Sequence, residues 1–185
     1  MLPATINAAT IVGLFNPSSP GLESINLTTT GSLNWATLEA TGFKNTKAGG
    51  SSAFSNIAVI GGGSLSTGGD ASTQMAWSNG SPTAAASAYR NFVYAFPFDT
   101  VGVGVSFKYT LEAPTVSMTI YLIDYDGGGS LGSNNTNLFS ASLSSGATFT
   151  QTVSLGNGFD DDHGKGWFDL TVTGSVGDHS RQTKP

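Results

Sequence analysis

The sequence has few charged side chains and no cysteine. Lys, Arg, Asp and Glu make up 10% of the 185 residues, against about a quarter in an average globular domain. The lack of cysteine excludes disulfides, thiolate catalysis and Cys-ligated zinc. The seven Lys and Arg residues are scattered and the net charge is -5, which disfavours nucleic acid as a partner because phosphate binding needs clustered cations.

Long apolar runs are also missing. The sequence contains no stretch of about 18 consecutive apolar residues of the kind that spans a membrane. Its first residues, Met1 to Thr5, have neither the basic segment nor the apolar core of a signal peptide. We therefore expect no membrane insertion and no signal peptide within these residues.

Aromatic and β-branched residues alternate with small polar ones, which is typical of β-strands. From Val103 to Leu111, apolar side chains occupy the odd positions, as in a strand with one buried face. No window of helical length carries an apolar stripe free of Gly and Pro. The clearest predicted strands are 55–60, 89–96, 101–111, 116–125, 137–143, 148–155 and 167–173.

Short strands joined by polar turns predict an all-β fold, an antiparallel two-sheet β-sandwich of the jelly-roll kind. Residues 1–176 are predicted to form a single domain, followed by a polar C-terminal tail at 177–185 that frays. Two glycine-rich segments, 61–69 and 127–135, are predicted to be long flexible loops.

Each of the three tryptophans belongs either to the core or to a binding surface. Trp residues are highly buried on average, which favours the core for each one taken singly. Trp77 precedes the turn Ser78-Asn79-Gly80-Ser81-Pro82, so we expect it at a loop edge where its ring can stack on a sugar. Trp35 and Trp167 are flanked by strand-like residues and are expected in the core. The predicted ligand-binding residues are Trp77, Asn79, Tyr89 and Trp35.

Two acidic clusters are candidate calcium sites. The segment Asp124-Tyr125-Asp126-Gly127 resembles the start of a calcium loop, but it lacks the bidentate Glu at the required distance. Asp160, Asp161 and Asp162 form a dense negative run that a hard cation could neutralise. The alternative for this run is a solvated acidic turn. Structural calcium is the only cofactor that the sequence suggests.

Hydrolytic chemistry has less support. The segment Gly128 to Gly132 has the letters of a nucleophile elbow, but a loop sequence follows where that motif needs a helix. His163 and His179, the only histidines, lie in polar segments that do not suggest a held catalytic triad. We therefore expect a protein that is not an enzyme, with a hydrolase as a second alternative.

Three stretches carry a recognisable pattern: Leu27–Trp35 (LTTTGSLNW), Lys47–Gly50 (KAGG) and Ala76–Thr83 (AWSNGSPT). They resemble a module of bacterial extracellular and surface proteins that is found beside glycoside hydrolase and adhesion domains. Asn34 and Asn79 stand where the pattern of that module has Asp. The resemblance implies a non-catalytic β-sandwich accessory domain, and the domains beside which the module is found imply carbohydrate binding.

Together these features predict an extracellular or cell-surface module that binds a glycan or another surface ligand through loop aromatics and amides. The first alternative is a structural subunit that assembles with itself in a virion, a phage or a surface filament. A Gly/Ser/Thr-rich β composition and a start at Met1 without an export signal favour that alternative.

Overall fold

The computed structural model describes residues 8–18, 23–30, 34–50, 53–55, 57–69, 73–96, 102–123, 136–154 and 165–184. The regular elements in these ranges are β-strands, which confirms the all-β prediction. None of the described residues belongs to a helix long and apolar enough to cross a membrane. The strands, numbered in chain order, are β1 (Thr10–Ser18), β2 (Glu23–Asn26), β3 (Ala36–Glu39), β4 (Gly42–Lys47), β5 (Ala58–Ile60), β6 (Ser64–Gly69), β7 (Thr73–Trp77), β8 (Gly80–Ser81), β9 (Ala86–Tyr89), β10 (Asn91–Phe96), β11 (Gly104–Thr110), β12 (Thr115–Ile123), β13 (Thr136–Leu143), β14 (Thr148–Ser154), β15 (Lys165–Thr173) and β16 (His179–Lys184).

Two antiparallel sheets share the main hydrophobic core, as expected for a sandwich. One sheet has the strand order β1-β15-β12 and the other the order β14-β13-β16-β11-β5. Phe168, Leu170 and Val172 alternate along β15 and are at most 1% exposed, so every second residue of this strand faces the core. The ring of Phe168 stacks on that of Phe139 in β13 at a centroid distance of 4.1 Å.

A second, smaller core lies among the short strands between β1 and β10. Its buried members are Leu27, Trp35 and Trp77. The strands around it form sheets of order β2-β7-β9 and β3-β4-β8, and β10 pairs with β6 as a two-stranded ribbon. Strands β2 and β7 run parallel, which is an exception to the antiparallel pairing predicted from the sequence.

The predicted frayed tail is wrong for residues 179–184. This segment forms β16, which pairs along its length with β11 and, from Ser180 to Thr183, also with β13. Its polar sequence resembles that of a solvated tail. Because strand pairing uses backbone groups, a polar segment can occupy a central position in a sheet.

The prediction of a flexible loop at 61–69 is also wrong for most of its length. Residues Ser64–Gly69 form β6 and pair in register with β10. Gly61 and Gly62 alone form the turn, at φ values of 74° and 81° that favour glycine. The second predicted loop, 127–135, lies outside the described residues.

Candidate functional site

The predicted binding residues come together, and the two tryptophans among them are buried inside the protein. The ring of Trp77 lies 5.3 Å from that of Trp35 and 5.3 Å from that of Tyr89, measured between centroids. Trp77 is 3% exposed and Trp35 is 5% exposed. The core position expected for Trp35 is confirmed. The prediction that Trp77 presents its ring to solvent at a loop edge is wrong.

The turn after Trp77 explains this burial, because the chain folds back over the indole ring. The Trp77 Nε1 atom donates a hydrogen bond to the carbonyl oxygen of Thr83 at 2.9 Å. A Cβ atom on Gly80 would overlap the Trp77 ring, so only glycine fits there without a shift. The turn residues that predict an exposed loop edge therefore form a cover over the Trp77 ring.

Asn79 holds this cover to two distant parts of the chain. Its Oδ1 atom accepts hydrogen bonds from Thr28 Oγ1 at 3.0 Å and from Trp35 Nε1 at 3.3 Å. Its carbonyl oxygen accepts a bond from the backbone nitrogen of Ala48 at 2.7 Å. We call the set Thr28, Trp35, Ala48, Trp77 and Asn79 the clasp. Every member belongs to one of the three stretches that carry the sequence pattern, so the pattern describes a packed structural unit.

Tyr89 lies at the edge of this small core and is partly buried. Its hydroxyl donates to Glu39 Oε1 at 2.8 Å, and Asn91 Nδ2 donates to the same oxygen at 3.1 Å. Burial raises the pKa of the Tyr89 phenol well above its usual value, and the hydrogen bond and negative charge of Glu39 raise it further. Tyr89 is therefore protonated across the physiological range and serves as a donor.

The candidate calcium ligands cannot be placed in the structure. Asp124, Asp126, Asp160, Asp161 and Asp162 all lie outside the described residues. Within the described part of the chain, no three His, Asp or Glu side chains are grouped closely enough to hold a metal ion. Calcium at these aspartates stays a prediction from the sequence.

Trp167 lies on the opposite side of its sheet from the core, so its predicted core position is wrong. It is partly buried, and it alternates along β15 with Phe168 and Leu170, which face inward. The neighbouring strands place Tyr121 and Asn16 directly opposite Trp167 in the register. We call the side of the sheet β1-β15-β12 that carries these residues the outer face. Its described side chains are Thr10, Val12, Leu14, Asn16, Thr115, Ser117, Thr119, Tyr121, Trp167, Asp169, Thr171 and Thr173.

A carboxylate organises the polar groups of the outer face. Asp169 Oδ2 accepts hydrogen bonds from Asn16 Nδ2 at 2.9 Å and from Trp167 Nε1 at 3.1 Å. Asp169 Oδ1 accepts one from Thr119 Oγ1 at 2.7 Å. The three donors come from three adjacent strands, and they fix the Trp167 ring beside a polar centre. A carboxylate has about four acceptor positions, and these donors occupy three of them.

Apolar side chains extend the outer face along β1. Val12 is 65% exposed and Leu14 is 63% exposed. In the register, Leu14 lies opposite Asp169 and Val12 lies opposite Thr171. Aromatic, aliphatic and hydrogen-bonding groups therefore share one sheet surface.

The sequence contains a signal for Trp167 that flanking residues alone do not reveal. Counting in steps of two from Trp167 reaches Asp169, Thr171 and Thr173, all polar, whereas the alternate positions hold Phe168, Leu170 and Val172. Period-2 parity thus assigns Trp167 to the polar side of the strand. Asn16, Thr119 and Tyr121 are brought to it only by strand pairing, which a single sequence does not specify.

Comparisons with known protein families, with curated proteins and with solved structures found no match for this chain. The functional argument therefore depends on the residues themselves.

Proposed function

We propose that this protein is a non-catalytic, extracellular carbohydrate-binding module whose ligand contacts the outer face at Trp167. The observation that carries the proposal is the position of the Trp167 ring. It lies on the solvent side of the sheet, held by its hydrogen bond to Asp169 and flanked by Tyr121 in the register. Aromatic rings with a polar edge suit a sugar, which has an apolar C–H face and hydroxyl groups at its rim.

The polar groups around Trp167 provide the hydrogen-bonding groups that sugar recognition needs in addition to ring stacking. Asp169, Asn16 and Thr119 already form one hydrogen-bonded network, so little side-chain freedom remains to be lost on binding. A carboxylate acceptor and an amide next to an aromatic ring can pair with adjacent sugar hydroxyls. The resemblance of residues 27–35, 47–50 and 76–83 to a module of bacterial extracellular and surface proteins supports the same function and the same location outside the cell.

The proposal moves the predicted site from Trp77 to Trp167. Trp77 and Trp35 are sealed in the small core, and the side-chain oxygen of Asn79 is already used within the clasp. These residues therefore support the binding module structurally, and we assign ligand contact to the outer face.

Affinity measurements on a polysaccharide panel test this function. The purified protein is titrated with soluble xylan, mannan and mixed-linkage β-glucan, and mixed with insoluble cellulose and chitin in pull-down assays. We expect binding to at least one of them, and a loss of about tenfold or more for Trp167→Ala, which corresponds to about 1.4 kcal/mol. Leu138→Ala is the matched control, because Leu138 is 42% exposed on β13 in the other sheet.

Two results would contradict the proposal. One is the absence of binding to every polysaccharide of the panel. The other is equal affinity of the Trp167→Ala variant and the unchanged protein for a polysaccharide that binds.

A structural subunit is the second candidate, and the β1 side of the outer face favours it. Among the described strands, β1 pairs only with β15, so it lies at an edge of its sheet, and it exposes Val12 and Leu14. An edge strand with exposed apolar side chains is a template for strand addition. Sedimentation velocity decides between the candidates, because ordered high-mass particles favour assembly and a monomer at high concentration favours the binding module.

A further inference from the structure

Strand β1 is an edge strand that lacks the usual protection against pairing with another chain. Of the described strands, β15 is the only one that pairs with it. Natural edge strands are commonly protected by charged side chains, bulges or a short length. Thr10–Ser18 is nine residues long, contains no charged residue and pairs with β15 without a shift in register. Its Val12 and Leu14 side chains are 65% and 63% exposed.

The sequence of β1 is self-complementary when two copies pair antiparallel. If Gly13 lies opposite Gly13 of a second copy, Val12 lies opposite Leu14 on the outer face. On the core side of the strand, Ile11 then lies opposite Phe15. Apolar side chains therefore meet apolar side chains on both faces, which is the arrangement that stabilises cross-strand pairs.

Neighbouring registers fit less well. A shift by two residues in one direction places Val12 opposite Asn16, and a shift in the other direction places Leu14 opposite Thr10. In the centred register, Thr10 and Asn16 lie opposite each other, so polar residues pair as well. Pro17 has no N–H group and ends the paired stretch. The pattern of side chains therefore selects one register.

The second sheet brings another uncharged edge to the same end of the sandwich. A Cβ atom on Gly13 would lie 2.6 Å from the Phe149 ring of β14, so β14 lies beneath β1. Strand β14 is the edge of the five-stranded sheet and also contains no charged residue. The Phe149 ring is partly buried, and contact between two such ends would remove more of it from water.

The dimensions of this end are sufficient for a weak but specific dimer. The paired stretch is about 24 Å long, and the two sheets with their outward side chains are about 20 Å deep, so two copies bury roughly 1,000 Å² in total. That area is at the lower end for specific protein interfaces. We propose that this protein forms a two-fold symmetric dimer in which β1 pairs antiparallel with β1 of a second copy, centred on Gly13. Because each β1 edge is then used, pairing at this edge closes at two copies.

The dimer places two proposed glycan sites on one surface, a consequence that rests on the proposed function. The sheet continues across the two-fold axis, so both outer faces lie on the same side. Trp167 lies opposite Asn16, three residues from the centre of the pairing. The two Trp167 rings are then about 25 Å apart, from about 20 Å along the strands and about 14 Å across them. A polysaccharide that reaches both rings binds with avidity, whereas a disaccharide contacts one.

Sedimentation equilibrium from micromolar to millimolar protein tests the dimer. We expect the mass to rise from 18.9 kDa to twice that value. Val12→Lys and Val12→Glu each place two like charges beside the two-fold axis, and each is expected to raise the dissociation constant at least tenfold. Leu138→Lys is the matched control, because Leu138 is 42% exposed on β13, which has a partner strand on both sides.

Disulfide cross-linking tests the register. The chain has no cysteine, so Val12→Cys/Leu14→Cys supplies the only thiols and places each directly opposite a thiol of the second copy. Directly opposite residues of an antiparallel pair are close enough for a disulfide. We expect mild oxidation to give a covalent dimer. Thr10→Cys/Val12→Cys, whose thiols are not opposite each other in this register, should form it at least tenfold more slowly.

The outcomes separate this inference from the proposed function. A monomer at every concentration, or a dimer that neither Val12 variant weakens, overturns the inference and leaves the glycan function standing. High-mass particles would overturn the closed pairing and favour the structural subunit. A dimer that both Val12 variants weaken, in a protein that binds no polysaccharide, supports the pairing and overturns the glycan function.

Binding by the unchanged protein tests the avidity. Above the dissociation constant of the dimer, affinity per chain for a polysaccharide should be at least tenfold higher than below it. Affinity for a disaccharide should be the same in both ranges. Trp167→Ala should lose the binding and keep the dimer, and equal polysaccharide affinity in both ranges would show that the two sites do not act together.

Discussion

The side-chain oxygen of Asn79 shows how one polar atom can join segments that are distant in sequence. It accepts hydrogen bonds from Thr28 and from Trp35, whose ring is 5% exposed. A buried N–H donor that loses its acceptor keeps its desolvation cost, about 1–3 kcal/mol. The contribution of Asn79 to stability is therefore larger than that of an ordinary turn residue.

We expect Asn79→Ala to lower the free energy of unfolding by about 1–3 kcal/mol, because Trp35 Nε1 is left without its acceptor. Asn79→Asp keeps an acceptor oxygen at the same place and is expected to remain closer to the unchanged protein. Urea unfolding followed by tryptophan fluorescence measures both. Ser81→Ala, at an exposed position of the same turn, is the control. Equal losses for the Ala and Asp variants would contradict this account of Asn79.

Two tyrosines, each hydrogen-bonded to a glutamate, form a matched pair that tests how burial and a neighbouring negative charge change the pKa of a phenol. Tyr89 donates to Glu39, and Tyr109 donates to Glu112 at 3.0 Å. Burial raises the pKa of Tyr109 to about 12, with a further contribution from Glu112. The pKa of Tyr89 is raised for the same reasons, with burial first and Glu39 second.

Because the pKa values of Tyr89 and Tyr109 are raised, the stability of the folded protein depends on pH in the alkaline range. Below the unfolded-state pKa of about 10, both states keep the phenol proton and the stabilisation is complete. Above it, the unfolded chain releases the proton while the folded one retains it, so we expect stability to fall as pH rises. Tyrosinate absorbance should show Tyr89 and Tyr109 titrating late. Glu39→Gln should lower the pKa of Tyr89 alone, and Glu112→Gln that of Tyr109 alone. An unchanged titration in both variants would show that burial raises the two pKa values without a contribution from the carboxylates.

At the scale of elements, alternation in the sequence predicts most of the strands of the main core but leaves their partners open. The expected strand at 167–173 corresponds to β15, and the one at 116–125 overlaps β12. The expected strand at 89–96 is interrupted at Arg90 and contributes to both β9 and β10. Alternation assigns faces to these strands, because inward and outward side chains differ in polarity. Register and sheet order depend on contacts between distant residues, which the pattern within one strand does not contain.

The two misplaced tryptophans show where local reasoning is insufficient. Trp77 was expected to be exposed because a turn follows it, but that turn folds back and covers the ring. Trp167 was expected to be buried because strand-like residues flank it, but its parity matches Asp169 and not Phe168. The class of element is correct for Trp167, which lies in β15, whereas Trp77 ends β7, a strand that the sequence analysis does not predict. The face on which the ring lies follows from parity for Trp167, and from tertiary contacts alone for Trp77.

Strand β16 is the element whose removal should have the largest effect. It pairs with β11 on one side and with β13 on the other. Without it, two strands of the main sheet would lose their backbone partners in the middle of the sheet. We expect a chain that ends at Asp178 to lack a cooperative unfolding transition by circular dichroism. As a control, a chain that lacks Pro185 alone should unfold like the unchanged protein. Normal folding of the chain that ends at Asp178 would show that β16 is dispensable.

On the scale of the whole molecule, packing and proposed recognition involve different residues. The clasp and the small core contain the residues of the sequence pattern, and the main core contains the inward side chains of the two larger sheets. The proposed ligand contacts lie on the outer face, which is the side of β1, β15 and β12 that faces away from the main core. Substitutions on this face should therefore change binding without preventing folding, whereas substitutions in the cores should do the reverse.

Two adjacent residues of β15 test this separation most directly. Phe168 is fully buried and stacks on Phe139, so Phe168→Ala leaves a cavity and is expected to lower the free energy of unfolding by about 3–5 kcal/mol. Trp167 is partly buried on the outer face, and Trp167→Ala removes its hydrogen bond to Asp169 and part of its apolar contact, at a cost of about 0.5–2 kcal/mol. Urea unfolding measures both values on one protein. A loss of several kcal/mol for Trp167→Ala would mean that this ring is a packing residue, and the polysaccharide titrations of that variant would then report its stability and not its contact with a sugar.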